Sequence, residues 1–290
     1  PADDPDVQTH LDRCLGCRGC ETACPSGVPY GNILEAARAT LAARRPPPRV
    51  ARLVLAAFAH PRTLAALLWS ARVVRATGLA TLLARLPGRI GFSFAMLAAS
   101  APALSSPPYR PRGTGARATV ATLLGCVMQG LFDHVNRATA RTLAENDYRV
   151  VPAPGQACCG ALHAHAGDLD TARALARANI AAFERSGADY VAVNASGCGL
   201  MMKEYGHLLS GDSAWAARAA SMAARTRDMS ELLAAAGPAT GAPLPLRVAY
   251  DAPCHIIHGQ HLVREPLAVL AAVPALTLTT LPNADQCCGS

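Results

Sequence analysis

Ala118-Thr-Val-Ala-Thr-Leu-Leu-Gly-Cys126 reads as an apolar strand that ends in a glycine and a cysteine, and after 31 intervening residues comes Cys158-Cys159-Gly160. The order returns near the carboxyl end, where Leu246–Tyr250 reads as a strand, Cys254 follows, and 32 residues separate it from Cys287-Cys288-Gly289. Two near-equal spacings that close on one tripeptide indicate a duplicated unit. Within the first unit, Arg149–Val151 and Tyr190–Val193 read as further strands. Leu131–Asn146, Asp168–Ser186 and Leu200–Leu209 read as helices. Strands alternating with amphipathic helices argue for an open α/β sheet. Cysteines at the carboxyl ends of its strands would gather where such sheets bind ligands. Cys198, in Asn194-Ala-Ser-Gly-Cys-Gly199, also follows a strand, and its glycines let backbone amides approach sulfur.

The second cysteine-bearing stretch is Cys14-Leu-Gly-Cys17-Arg-Gly-Cys20-Glu-Thr-Ala-Cys24-Pro25. Its C-x2-C-x2-C-x3-C-P spacing is the bacterial ferredoxin pattern for iron-sulfur ligation, in which the first three cysteines hold one four-iron cluster and the fourth reaches to another. Cys14, Cys17 and Cys20 are therefore expected on one 4Fe-4S cluster and Cys24 on a second. Two such runs complete two clusters and this sequence has one, so a further run is expected upstream of Pro1, and a cysteine closing the second unit downstream of Ser290. Structural zinc is the alternative, but it usually takes two separated cysteine pairs, or one pair with histidines. A disulfide framework fits less well, since 11 cysteines is an odd count, two pairs are adjacent in sequence, and no signal-peptide pattern opens the chain. Reduced thiols in the cytoplasm are the expectation.

The chain's 290 residues suffice for two domains, and 51% hydrophobic with 4% aromatic residues describes an Ala- and Leu-rich globular protein. A net charge of +7 suits an acidic protein surface or an anionic membrane face. Nucleic acid is not expected, because the arginines are scattered and no basic run interleaves with aromatics. Tyr30–Arg44 has apolar residues at helical spacing, and Pro46-Pro47-Pro48 ends it. Residues 50–104 hold apolar runs, each interrupted by arginine, histidine or proline before the roughly 20 residues a membrane span needs. Short amphipathic helices packed on neighbouring domains are the first expectation, and a face lying on anionic lipid or docking a partner the second. The resulting division is 1–44 for the second half of a two-cluster ferredoxin-like region, 45–116 for a helical connector and linker, 117–212 for the first cysteine unit, 213–245 for a helical linker and 246–290 for the second unit.

These residues carry a resemblance. The repeat resembles the cysteine-rich CCG domain of heterodisulfide reductases and of iron-sulfur subunits of flavin-linked dehydrogenases. The stretch from His10 through Cys14, Cys17, Cys20 and Cys24 to Gly27, Ala195-Ser-Gly-Cys-Gly199 with Lys203-Glu-Tyr-Gly206, and Cys287-Cys-Gly-Ser290 look like the iron-sulfur subunits of bacterial glycolate oxidase. The resemblance implies a mixed fold, with a helical ferredoxin-like N-terminal region and a duplicated open α/β CCG domain. It also implies 4Fe-4S clusters, FAD on a partner glycolate oxidase subunit, a quinone-type acceptor, and a cytoplasmic protein associated peripherally with the membrane. The implied activity is oxidation of glycolate to glyoxylate by the complex, with this chain inactive alone. In the broader family each unit ends in C-x2-C, whereas here Met201 stands three positions after Cys198. Cys126, Cys158, Cys159 and Cys198 remain as ligands in the first unit, enough for a four-iron cluster or for zinc. Cys254, Cys287 and Cys288 are their counterparts in the second.

Lactate- or glycerol-3-phosphate-linked iron-sulfur subunits share these modules. A heterodisulfide reductase-like protein is disfavoured by the lost C-x2-C, since the resemblance ties that chemistry to the fully ligated cluster. His255, His258 and His261 step by three residues and could share a helical face, while His163 and His165 follow the first CCG. Packing and hydrogen bonding are their expected roles, with metal binding second. No dinucleotide fingerprint, P-loop or nucleophile elbow is present.

Overall fold

The computed structural model describes residues 4–100 and 112–284; Cys287 and Cys288 lie outside the described residues. Three helices open the chain: α1 (Pro5–Arg13), α2 (Gly19–Ala23) and α3 (Tyr30–Arg44). Asp4 caps α1 by accepting the Asp6 N–H, and Pro5 occupies the first turn, where its missing donor costs nothing. Four connector helices follow: α4 (Arg49–Ala59), α5 (Pro61–Ala76), α6 (Leu79–Leu83) and α7 (Gly88–Ala99).

A four-stranded parallel sheet forms the next layer, from β1 (Ala118–Thr122), β2 (Tyr148–Val151), β3 (Tyr190–Val193) and β4 (Thr226–Asp228) in the order β2-β1-β3-β4. The inner strands bury consecutive residues, Thr119–Ala121 in β1 and Val191–Val193 in β3, as strands covered on both faces must. Around the sheet lie α8 (Cys126–Leu131), α9 (Asp133–Glu145), α10 (Ala161–His165), α11 (Leu169–Ser186), α12 (Ser196–Lys203), α13 (Tyr205–Leu208), α14 (Ala216–Arg225) and α15 (Met229–Ala236). Helix α11 starts at Asp168, which accepts the Thr171 N–H, and stops at Gly187 in the left-handed region. It buries Ala172, Leu175, Ala176, Ile180 and Phe183 against the sheet, so the core sits between them.

A second, two-stranded parallel sheet pairs β5 (Arg247–Tyr250) with β6 (Thr277–Thr280), and between them lie a π-helix (His255–Gly259) and α16 (Arg264–Ala271). In the first sheet Ala118 sits opposite Tyr148 and in the second Arg247 sits opposite Thr277, an offset of 30 residues in both. The repeat inferred from cysteine spacing therefore has a counterpart in strand register.

Three elements differ from the sequence reading. The helix expected over Leu131–Asn146 is α9, and a further helix the sequence reading lacked, α8, precedes it, parted from it at Phe132, which leaves helical geometry at φ −120°, ψ 29°. The helix expected from Leu200 begins at Ser196, so Cys198 lies in a first helical turn, and a break at Glu204 starts α13. Strand β4 lies in a stretch expected to be helix and loop. Its three residues are too few and too polar to show a period, but Asp228 and Glu231 form the capping box that starts α15.

The connector helices lie on the α/β unit only in part. Leu68 of α5 packs against Gly130 of α8, and Arg75 donates to the Leu131 carbonyl. Neither α4 nor α5 contains a buried residue. Among the described residues no single helix is long and apolar enough to cross a membrane; α4 and α5 satisfy the length and composition only as a pair bent by 104°.

Candidate thiol-metal centre

The first-unit cysteines meet at one end of the sheet. Cys126 opens α8 after β1, Cys158 and Cys159 follow β2, and Cys198 lies in α12 after β3. Their sulfurs form a chain of contacts, Cys126 to Cys158 at 3.6 Å, Cys158 to Cys159, and Cys159 to Cys198. Cys158 and Cys159 are buried, Cys126 and Cys198 half-buried, and all four are thiols. The contact with Cys158 and then burial push the Cys126 thiol far up. For Cys158 the Cys126 contact pulls down, but Cys159 and burial outweigh it, giving about 11. Cys159 is raised well above the ordinary thiol range, since Cys198 and burial outweigh a lowering contact from Cys158. Four crowded sulfurs in an apolar setting cannot all be thiolates unless a cation replaces their protons, and thiolate-rich sets select zinc or iron-sulfur groups. In donor chemistry the set fits such a group. As they stand, no three His, Cys, Asp or Glu side chains among the described residues are disposed to hold a metal ion, since the sulfurs meet in pairs.

Two residues that the sequence reading gave no role hold this loop. Asn179, fully buried in α11, donates to the Cys158 carbonyl at 2.9 Å and to the Tyr205 hydroxyl at 3.0 Å, and accepts the Ala157 N–H at 2.7 Å. Tyr205, also fully buried, donates to the Cys159 carbonyl at 2.8 Å. One signal was available: Asn179 is an amide in the middle of an apolar helical stripe, where burial demands hydrogen-bond partners. On the other side Gln156 accepts the Leu124 N–H at 2.7 Å and Asn136 donates to the Leu124 carbonyl at 2.8 Å, fixing the strand end before Cys126.

The N-terminal cysteines lie in the turn from α1 to α3. Desolvation raises the Cys20 thiol, and Glu21, Cys17 and Cys14 lie close enough for their charges to add to it. The Gly16 N–H points at the Cys14 sulfur at 3.4 Å, and the Tyr30 hydroxyl bonds to the same sulfur. Cys24 faces its own following turn, where the N–H groups of Val28, Ser26 and Gly27 point at its sulfur and lower its thiol.

Long-range contacts seat this loop on both cysteine units. Arg18, in the left-handed region between Cys17 and Cys20 and only 7% exposed, makes a two-point ion pair with Glu204, with Nη2 to Oε2 at 2.6 Å. Burial raises the Glu204 carboxyl above its ordinary range, and Arg18 opposes that shift. Gly31 leaves the room this pair needs, since a Cβ there would stand 2.5 Å from Arg18 Cζ. Arg38 donates to the Leu11, Cys14 and His165 carbonyls at 2.7, 2.6 and 3.0 Å, joining the loop to α10.

From the second unit, His255 Nε2 donates to the Gly16 carbonyl at 3.1 Å, and His258 Nδ1 pairs with the Thr22 hydroxyl at 2.8 Å. Burial lowers the His255 ring below its ordinary value. Gln260 donates to the Ser196 carbonyl at 2.9 Å, two residues from Cys198, and Cys254 stands directly before His255. His261 does not share the face of His255 and His258. The π-helix ends at Gly259, and His261 is exposed in the left-handed region. His163 is buried and bonded to the Leu55 carbonyl, and His165 sits 3.2 Å from Glu35. A cavity of about 1310 Å³ between α3, α4 and α11 is lined by none of the cysteines.

Duplicated parallel strands, the first set with Cys158 and Cys159 at its end, joined to a cysteine-rich helical loop, define a cysteine-rich protein of the CCG class. Residues 120–203 and 248–290 match the family described as the CCG cysteine-rich domain. Across 99% of its length the chain is 34% identical to the probable glycolate oxidase iron-sulfur subunit of Bacillus subtilis (strain 168), covering 68% of that protein. Across 98% it is 35% identical to the glycolate oxidase iron-sulfur subunit of Escherichia coli (strain K12), again covering 68% of that protein. Lactate utilization protein A of Geobacillus kaustophilus (strain HTA426) is 32% identical over 59% of this chain and 71% of its own. No solved structure matches. The chain belongs to the family of glycolate oxidase iron-sulfur subunits.

Proposed function

We propose that the chain is the electron-transfer subunit of a flavin-linked glycolate dehydrogenase, with FAD on a partner subunit and a quinone-type acceptor at the cytoplasmic face of the membrane. Cys14, Cys17 and Cys20 would hold one 4Fe-4S cluster of a ferredoxin-like region over residues 1–44, and Cys24 would serve a second. Cys126, Cys158, Cys159 and Cys198 would hold a further cluster or zinc within residues 117–212. Cys254, Cys287 and Cys288 are the corresponding donors within 246–290, after the connector 45–116 and the linker 213–245. Bound clusters would supply one-electron storage, with potentials tuned by hydrogen bonds to sulfur and by burial. The chain's own residues set the geometry. Arg18, Glu204, Arg38, His255 and His258 fix the N-terminal loop against α10, α12 and the π-helix, while amides at Gly16 and Ser26–Val28 face sulfur.

The observation that carries this reading is the convergence of three cysteine-bearing segments, around Cys17, Cys198 and Cys254, on one another. Electron transfer needs such proximity, whereas a zinc scaffold has no use for it. The test is to purify the complex anaerobically, measure iron, acid-labile sulfide and zinc, and assay glycolate-dependent dye reduction. Iron and sulfide with dye reduction are expected; zinc without sulfide would overturn the reading. Similarity to lactate utilization protein A keeps lactate as a second substrate, and dye reduction by lactate but not glycolate would select it.

A further inference from the structure

Between Arg49 and Ala99 the sequence has seven arginines and no aspartate, glutamate or lysine. Those seven equal the whole formal excess of +7, since 20 other basic and 20 acidic residues cancel over the rest of the chain. The basic character assigned to the protein as a whole therefore belongs to α4–α7 and their turns.

The same segment carries a large share of the exposed apolar surface. Val50 is 72% exposed, Leu53 71%, Phe92 68%, Trp69 65%, Ile90 62% and Leu82 59%. Scattered exposed apolar residues are ordinary, but so many on four short helices that touch one another in series mark a contact surface. Six of the arginines, Arg49, Arg52, Arg62, Arg72, Arg85 and Arg89, are exposed among them. Arg75 alone turns inward, to Ser100 and the Leu131 carbonyl. The contacts of α5 with α8 fasten the group to the α/β unit.

We propose that α4–α7 form a docking surface for a bilayer carrying anionic headgroups. Helices of 11, 16, 5 and 12 residues are too short to span a membrane but suit its interface, where Trp, Phe and Leu enter the acyl boundary and arginines reach phosphate. A protein partner is the weaker occupant. Protein interfaces mix both signs of charge at a hydrogen-bonding rim, whereas here acidic residues are missing from 51 consecutive positions. The inference deepens the acceptor side of the function proposed above and rests on that reading only for its purpose, to bring the chain to a lipid-soluble acceptor.

The experiment is flotation of the purified complex with phosphatidylglycerol–phosphatidylcholine vesicles and with phosphatidylcholine alone, together with quenching of Trp69 by brominated lipid in a Trp215→Phe background. Flotation with anionic vesicles only, weakened by salt, and quenching of Trp69 are expected. Reversing one exposed arginine, as in Arg52→Glu or Arg89→Glu, changes the charge by two units and should lower vesicle affinity about thirtyfold. Phe92→Ser should lower it without changing the salt dependence, and unchanged circular dichroism verifies folding of each variant. Equal flotation with neutral vesicles, no flotation, or flotation with Trp69 unquenched would overturn the proposal, as would arginine reversals that release the flavoprotein subunit and leave flotation intact. Dye reduction is read separately. A complex that floats but fails to oxidise glycolate sinks the functional reading and leaves this surface standing, and the reverse result does the opposite.

Discussion

Asn179 and Tyr205 show how single side chains hold the cysteine loop. Asn179→Ala strips partners from the half-buried Ala157 N–H and from the buried Cys158 carbonyl and Tyr205 hydroxyl, and should cost about 2–3 kcal/mol in denaturant unfolding. Tyr205→Phe removes the bond to the Cys159 carbonyl and the oxygen that accepts from the Asn179 amide, and should cost about 1–2 kcal/mol. Glu204→Gln keeps the shape of the Arg18 contact but leaves a buried guanidinium without its counter-charge. A loss of about 2 kcal/mol is expected, at the low end because the Glu204 side chain is 21% exposed. A double-mutant cycle with Arg18→Met should recover most of it, and additive losses would show that the pair is not coupled.

Carboxylates also set the acid limit. Arg218 holds Glu184, and Arg177 holds Asp212, below the ordinary carboxylate range. Groups lowered in the fold stabilise it above their unfolded value and lose that contribution as pH falls through the folded one. Glu204 and Asp228, raised chiefly by burial, run the other way and lose their contribution as pH rises through their folded values. Thermal stability should therefore fall below about pH 4, where the first two protonate. Arg177→Gln and Arg218→Gln should flatten that acid limb. An unchanged limb in both variants would show that these pairs are silent.

At the scale of elements, α3 matters because it touches both the N-terminal loop and α10. Gly167, just beyond α10, has φ +81°, and a Cβ there would stand 2.5 Å from the Arg38 carbonyl oxygen. Backbone cannot yield as a side chain can, so Gly167→Ala should cost about 2 kcal/mol and loosen α3 from α10. Hydrogen exchange that speeds up in α3 while β1 and β3 stay protected would show this, and uniform protection would refute it. Helix spacing made α3 and α11 legible from sequence, and alternation with helices did the same for β1, β2 and β3. Helix α8 and strand β4 were not legible, because a six-residue helix and a three-residue polar edge strand are too short to carry a period.

At the scale of the whole molecule, the cysteine set should behave as separate donors of metal. Cys158→Ser should remove iron and sulfide from the first unit and leave the N-terminal cluster's signal in electron paramagnetic resonance, while Cys17→Ser should do the converse. Equal loss of both signals from either variant would show one shared site. The sequence alone determined where the cysteines stand and how they repeat, because cysteine spacing is local chemistry: a turn of fixed length brings neighbouring sulfurs together wherever it sits. Only the tertiary structure decided that Arg18 meets Glu204 across 186 residues, that His255 meets Gly16 across 239, and that the apolar connector helices face outward. Such contacts depend on shape and burial summed over many elements, and no window of sequence contains that sum.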